Sequence, residues 1–291
     1  MTSTTLANVT PEVWSAKACV TYRSNVVNVP LLDHTWEPEL GVGRGDIVNI
    51  FGFTQNNAAT NRGAGTGTYG TGAAITFDAN TEGQTQLAVN RLYLKAHRMP
   101  VEARAQVIPG YLNMLLEGHG QAIALAIDAD IAADNTNGYD AFTTVVGTDN
   151  VDLTEDDLLT IQTNLNNQNA PLSGRVGVIS PATHQSLMKV ESFRNQMYKD
   201  SMGNLDGSKG AGQLGPILTF MMYMSNNLEA GTGGKKNAFF QKEAIAFAEQ
   251  LSIQREHNTN IEDGLFVQDV SYTTCGFKLI KVAFGNEADG K

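Results

Sequence analysis

The sequence is short of the features that mark most functional classes. It has 2 cysteines, Cys19 and Cys275, near opposite ends of its 291 residues. That number suits free thiols in a reducing compartment and excludes a disulfide framework. Basic residues number 20 against 30 acidic ones, for a net charge of −10. Binding to nucleic acid through its phosphates needs a basic stripe, and none is present. The acidic groups are scattered, with a local excess at Asp128, Asp130, Asp134, Asp140, Asp149 and Asp152. No apolar run is long enough to span a bilayer, so no membrane contact is expected. The N-terminal stretch MTSTTLANVTPEVW lacks the basic and apolar regions of a signal peptide. Sequons such as Asn8-Val9-Thr10 then carry no meaning, because the chain does not read as secreted. The 5 histidines, at 34, 97, 119, 184 and 257, are far apart and show no metal-ligand spacing. No metal or cofactor is expected, and no repeat at a solenoid or propeller period is found.

What is present is glycine, 29 residues of it among many Asn and Thr, which points to long hairpins and loops. The length allows one or two domains with substantial cores. The strongest periodic stretch runs from Pro109 to Ala133. Leu112, Leu115, Leu116, Ile123, Ile127 and Ile131 fall at spacings of three and four, which predicts a helix with one apolar face. At ~1.5 Å per residue it makes a rod of roughly 37 Å. Pro109 suits the first turn, and Asn135 and Gly138 are stop signals. Gly118 and Gly120 weaken its middle by about 1 kcal/mol each. Such a helix needs support on its apolar face, so it reads as a spine on which β-rich segments dock. His119, on that face, reads as a core histidine.

Residues 1–45 show little periodicity beyond a short helix that Thr10 could cap. Both tryptophans, Trp14 and Trp36, lie here, and an arm with large aromatics is expected to pack on a neighbouring subunit. From Asp46 to Phe53 the pattern is strand. Residues 54–72 are almost wholly Gly, Asn, Thr and Ala; strand resumes at Ala74–Phe77, and Thr85–His97 alternates as one strand. Strands so separated predict a long hairpin arm, which is marginal in water unless it lies on its own body or another subunit. Thr154 caps a helix opened by Glu155, Asp156 and Asp157. Arg175–Ser180 reads as a buried strand, Pro181–Met188 as a helix and Ile217–Met224 as an apolar strand. Phe193–Gly215 and Asn226–Lys236 read as loops. Ala244–Glu256 fits a strand or a helix, and Leu265–Val282 reads as two strands meeting near Cys275-Gly276.

Catalytic patterns fail on inspection. Gly65–Gly70 spells GxGxxG, but a strand follows it instead of the helix that would hold a pyrophosphate. Gly231–Lys236 lacks the spacing of a phosphate loop, and Ser186–Lys189 spells SxxK without companion motifs. Asp128-Ala129-Asp130 breaks the calcium-loop pattern at Ala132. The acids 155–157 could serve a hydrolase as paired carboxylates, although a helix first turn explains them. A receptor-binding β-rich module would need clustered aromatics, and these do not cluster.

In order and character the chain resembles the major capsid proteins of tailed bacteriophages, with the Hong Kong ninety-seven-type shell fold. The resemblance rests on the N-terminal arm, the hairpin arm and the spine helix with its ALAIDADIAA ending. It rests further on the passage Leu165, Asn169, Pro171, Arg175, Val178, Ile179, Ser180 and Pro181. Two later segments also resemble the family, GQLGPILTFMMYMSNNL and VSYTTCGFKLIKV.

The resemblance implies an α+β tailed-phage capsid fold. It would have an N-terminal arm (1–45), an extended β-hairpin arm (46–84) and a peripheral domain with the spine helix (85–150, returning at 240–291). The axial domain would be 151–239. It implies no enzyme but a shell subunit that self-assembles into hexamers and pentamers around double-stranded DNA, in the virion capsid, assembled in the host cytoplasm. The DNA would be held non-specifically, and the acidic balance suits an inner wall that does not trap it. Intersubunit contacts are expected at Trp14, Trp36, Asn56, Asn57, Arg62 and Tyr69. Expected partners are a portal protein and a separate scaffolding protein, with a decoration protein as an optional addition that the sequence does not decide. Residues 46–84 contain no lysine, so the isopeptide crosslink that some relatives form through this arm is not expected. The shell protein of bacterial cargo-holding nanocompartments is the alternative container.

Overall fold

A computed structural model describes residues 27–39, 46–54, 81–102, 111–148, 150–190, 213–231, 233–260 and 266–290. Its organising element is helix α1 (Tyr111–Ala133). Ile123, Ile127 and Ile131 are buried along one face of it, as the spacing predicts. The helix ends where Asp134 folds its carboxylate back to accept the N–H groups of Thr136 and Asn137, at 2.7 and 2.8 Å. Gly138 completes the stop. A Cβ there would lie 2.2 Å from the Ile131 carbonyl oxygen, so only glycine fits.

The described strands form three sheets. Strands β1 (Ile47–Thr54) and β2 (Thr81–Ala88) form an antiparallel pair, in register from Ile47 opposite Ala88 to Thr54 opposite Thr81. A three-stranded antiparallel sheet has the order β3 (Arg91–Pro100), β10 (Phe266–Leu279), β9 (Ile245–Asn260). The third, six-stranded sheet runs β4 (Val145–Gly147), β11 (Gly285–Gly290), β8 (Lys235–Gln241), β5 (Arg175–Ile179), β7 (Phe220–Met224), β6 (Gln213–Ile217). It takes strands from both sides of residues 151–239.

The six-stranded sheet is covered on both faces. On one side Val176, Val178, Ala238 and Phe240 join the core around α1. On the other, Ile179, Met222 and Phe239 meet Leu158, Ile161 and Leu165 of helix α2 (Glu155–Asn167) and Leu187 of α3 (Pro181–Leu187). Strands buried on both faces read as continuous apolar runs, which is why RVGVI and AFF lack alternation. A third, smaller core joins Val48, Ile50, Leu87 and Val89 to Ala246 and Ala248 of β9.

Several expected boundaries move. Thr85–His97 is two strands in different sheets, broken at Val89, whose N–H donates to the Asp46 carbonyl at 2.7 Å. The arm base therefore reaches Ala88, and residues 81–88 pair with β1; Ala74–Phe77 lies outside the described residues. Of Ala244–Glu256, all but Ala244 is strand, because the partner β10 runs alongside from Leu279 to Phe266. Where two strands meeting at Cys275-Gly276 were expected, a single strand, β10, runs from Phe266 to Leu279. At Gly276 it does not turn; it passes so close to the arm that a Cβ would lie 2.1 Å from the Ala88 carbonyl oxygen. Ile217–Met224 is in turn a hairpin, with Leu218 at φ 52° between two strands.

Candidate assembly surface

The base of the hairpin arm has two unequal faces. Val48 and Ile50 point into the third core, while Ile47 and Phe51 point outward, 45% and 71% exposed. Strand β3, at the edge of its sheet, behaves alike. Arg91 and Tyr93 turn to the spine, where Arg91 pairs with Asp130 and Asp134 and the Tyr93 hydroxyl donates to Asp130. Leu92 and Leu94 face away, 59% and 58% exposed. Large apolar groups on regular strands that no other described residue covers are candidates for contact with another chain.

Trp36, expected at a subunit contact, packs half-buried against the third core of its own chain. Trp14, Asn56, Asn57, Arg62 and Tyr69 lie outside the described residues. Phe51 was missed by sequence reasoning. Its signal was available, since IVNIF places apolar groups on both faces of one strand, which asks for cover on both sides.

The segment before the arm is tied to the spine by one carboxylate. Asp128, fully buried, accepts the N–H groups of Val27 and Asn28 at 3.1 and 2.6 Å and the Asn227 amide at 2.8 Å. Burial raises its pKa, against the pull of the Asn227 and backbone donors. Asp128 therefore fastens residues 27–28 and the 225–228 turn to one point on α1. It is a structural acceptor.

The passage from Leu165 to Pro181 is explained residue by residue. Leu165 is core. Asn169 takes the left-handed conformation, φ 57°, and closes α2 with bonds from its own N–H to Asn166 and from Ala170 to Leu165, both 3.0 Å. Arg175, 2% exposed, donates to the Ala170 and Pro171 carbonyls at 2.7 and 2.9 Å and to Thr219 at 3.3 Å. Ser180 caps α3, accepting the Thr183 N–H at 3.0 Å, with Pro181 in its first turn.

The catalytic candidates take up structural roles. Asp157 accepts the Thr154 N–H at 2.9 Å in a reciprocal capping box, and Glu155 and Asp156 share that first turn. Ser186 donates to the Ala182 carbonyl at 3.2 Å while Lys189 reaches Asp152 at 3.0 Å, so no Ser–Lys pair forms. Lys235 donates to the Leu228 carbonyl, and Lys236 pairs with Asp140 and Glu287. These last three groups line a cavity of about 610 Å³ with Asp289 and Phe142. Desolvation pushes the Glu287 carboxyl up to about 7, against the pull of Lys236. The Cys275 thiol, fully buried, is pushed up to about 12, chiefly by burial and then by Glu249, which leaves it unreactive. Among the described residues no three His, Cys, Asp or Glu side chains gather as a metal site, and no helix is long and apolar enough to cross a membrane.

No family model and no curated protein matches the sequence. Solved structures do match. A chain of Mycobacterium phage Che8 superposes with TM-score 0.72 at 20% identity, covering 97% of both chains. The capsid of Cyanophage P-SCSP1u gives 0.67 at 14% identity, covering 99% of this chain and 95% of the other. The capsid of a native GTA particle gives 0.67 at 10% identity, covering 97% and 95%. The TM-scores and end-to-end coverage show that the chain has the fold of phage capsid proteins.

Proposed function

We propose that this chain is the structural subunit of an icosahedral shell, assembling through hexamers and pentamers around double-stranded DNA. One observation carries the reading beyond fold: Phe51, Ile47, Leu92 and Leu94 stand uncovered on the arm base and the edge strand. An apolar face on regular strands is held in water at a cost unless a partner covers it. In a shell each copy's arm would cover part of its neighbour, and the energetics would be distributed interface burial with no catalytic site. The N-terminal arm, hairpin arm, peripheral and axial domains would divide the chain as the resemblance implies, with Trp14, Trp36, Asn56, Asn57, Arg62 and Tyr69 at intersubunit contacts. A portal protein, a separate scaffolding protein and a decoration protein are the partners this role calls for, with the shell formed in the host cytoplasm and DNA held non-specifically.

Sedimentation of the purified chain, with negative-stain imaging of the fastest fraction, tests this. Closed shells or capsomer rings are expected. A monomer or dimer peak that persists at high concentration and with scaffolding protein added would overturn the reading.

A further inference from the structure

The middle of the spine helix holds a cluster that neither the fold nor the shell role explains. His119 is 3% exposed and sits between Gly118 and Gly120. Its ring centroid is 6.3 Å from that of His97 on β3, and its Nδ1 lies 3.4 Å from the Ser271 hydroxyl on β10. The charges around it are mostly of one sign. Lys95 on β3 and Arg255 on β9 add positive field, and Asp269 on β10 opposes it. That carboxylate stands opposite His97 in the β3–β10 ladder and opposite His257 in the β9–β10 ladder, and it is already taken by the Arg255 guanidinium, at 2.7 and 3.3 Å. On α1 itself, Glu117 is exposed. A second proton at this place would put two imidazolium rings side by side at a buried contact.

The two glycines add an independent observation. A Cβ at Gly118 or Gly120 would meet nothing within 4 Å, so packing does not require either residue. Each weakens the helix by about 1 kcal/mol relative to alanine. The softest turn of the spine thus coincides with its buried histidine.

We propose that His119, packed against His97, forms an acid-sensitive latch between the spine helix and the three-stranded sheet, closed while the His119 ring is neutral and opened at the helix centre by its protonation. Burial, then His97 and Lys95, hold the His119 pKa below its ordinary value of 6.5. The unfolded or opened helix therefore takes up the proton first. The latch contributes its full stability above that pH and loses it as pH falls toward the folded-state value.

Hydrogen–deuterium exchange of the full chain at pH 7.5 and 5.5, corrected for intrinsic rates, reads this directly. Acid is expected to raise exchange severalfold in peptides over 114–123 and to leave α2 unchanged. His119→Gln keeps an amide near Ser271 but cannot ionise, and should flatten the acid response. His97→Gln, on the more exposed strand, removes the second cation and should halve it even if the first variant fails to fold. Equal acid responses in the wild type and His97→Gln, or no acid response at the spine centre, would overturn the latch.

Discussion

Strands β5 and β1 are similar in sequence and opposite in situation. Both are short apolar runs, RVGVI and IVNIF. All five residues of β5 are buried, by α1's core on one face and α2's on the other. In β1 the inner residues Val48 and Ile50 are buried while Ile47 and Phe51 are bare. The six-stranded sheet is thus completed on both faces by described residues, and the outer face of the arm base is not. Stability of the single subunit should reside in the first region, and stability of contacts between copies in the second.

The largest effect is expected where the chain is self-sufficient. Phe239 is fully buried, meets Phe220 edge-on at 5.4 Å, and crosses Gly177, where a Cβ would lie 2.8 Å from its ring. Phe239→Ala opens a cavity that this close fit cannot refill, and should cost about 3–5 kcal/mol in a denaturant melt. A cost below about 1 kcal/mol would break the comparison, since β5 and β8 would then not be the seat of subunit stability.

An intermediate effect is expected at the junction of the two regions. Gly276→Ala would place a methyl group against the Ala88 carbonyl oxygen and the Val89 Cα, at 2.1 and 2.9 Å. Backbone cannot rotate away as a side chain can, so β2 and β10 must separate. We expect a loss of about 1–3 kcal/mol, with limited proteolysis cutting faster at residues 81–90 than at 155–187. Uniform cleavage would mean that the arm is not anchored there.

How far these places could be read in advance depends on the range of the interaction. The spine helix was legible from its spacing and stop residues, because helix periodicity and capping are local. The capping box at Thr154 was legible for the same reason. Strand partners were not. The alternation of 85–97 runs unbroken through Val89, because the bend is imposed by Asp46 and by Gly276, both distant in sequence. Gly276 looked like a turn, since a glycine demanded by a crossing strand has the same letter as one demanded by a turn. The role of Asp128 was hidden likewise: its partners lie about a hundred residues away, at Val27, Asn28 and Asn227.

The smallest effect on the subunit should accompany the sharpest effect on association. Phe51 is 71% exposed and opposes Gln84 across the arm. Replacing it with serine removes an aromatic group that its own chain does not bury, so the subunit's melt should move by no more than about 0.5 kcal/mol. The strand itself tolerates the change, because β propensity spans only about 1 kcal/mol and the inner face is untouched. If a second copy covers this face, an aromatic group buried there supplies about 1.5–3 kcal/mol per contact. Repeated around every capsomer, that loss should shift assembly to markedly higher protein concentration, read by light scattering against the wild type at equal concentration. A Phe51→Ser protein that assembles at the wild-type threshold would show that the arm's outer face stays in water after assembly. The uncovered strand would then be a solvent face, and the contrast between β1 and β5 would say nothing about where copies meet.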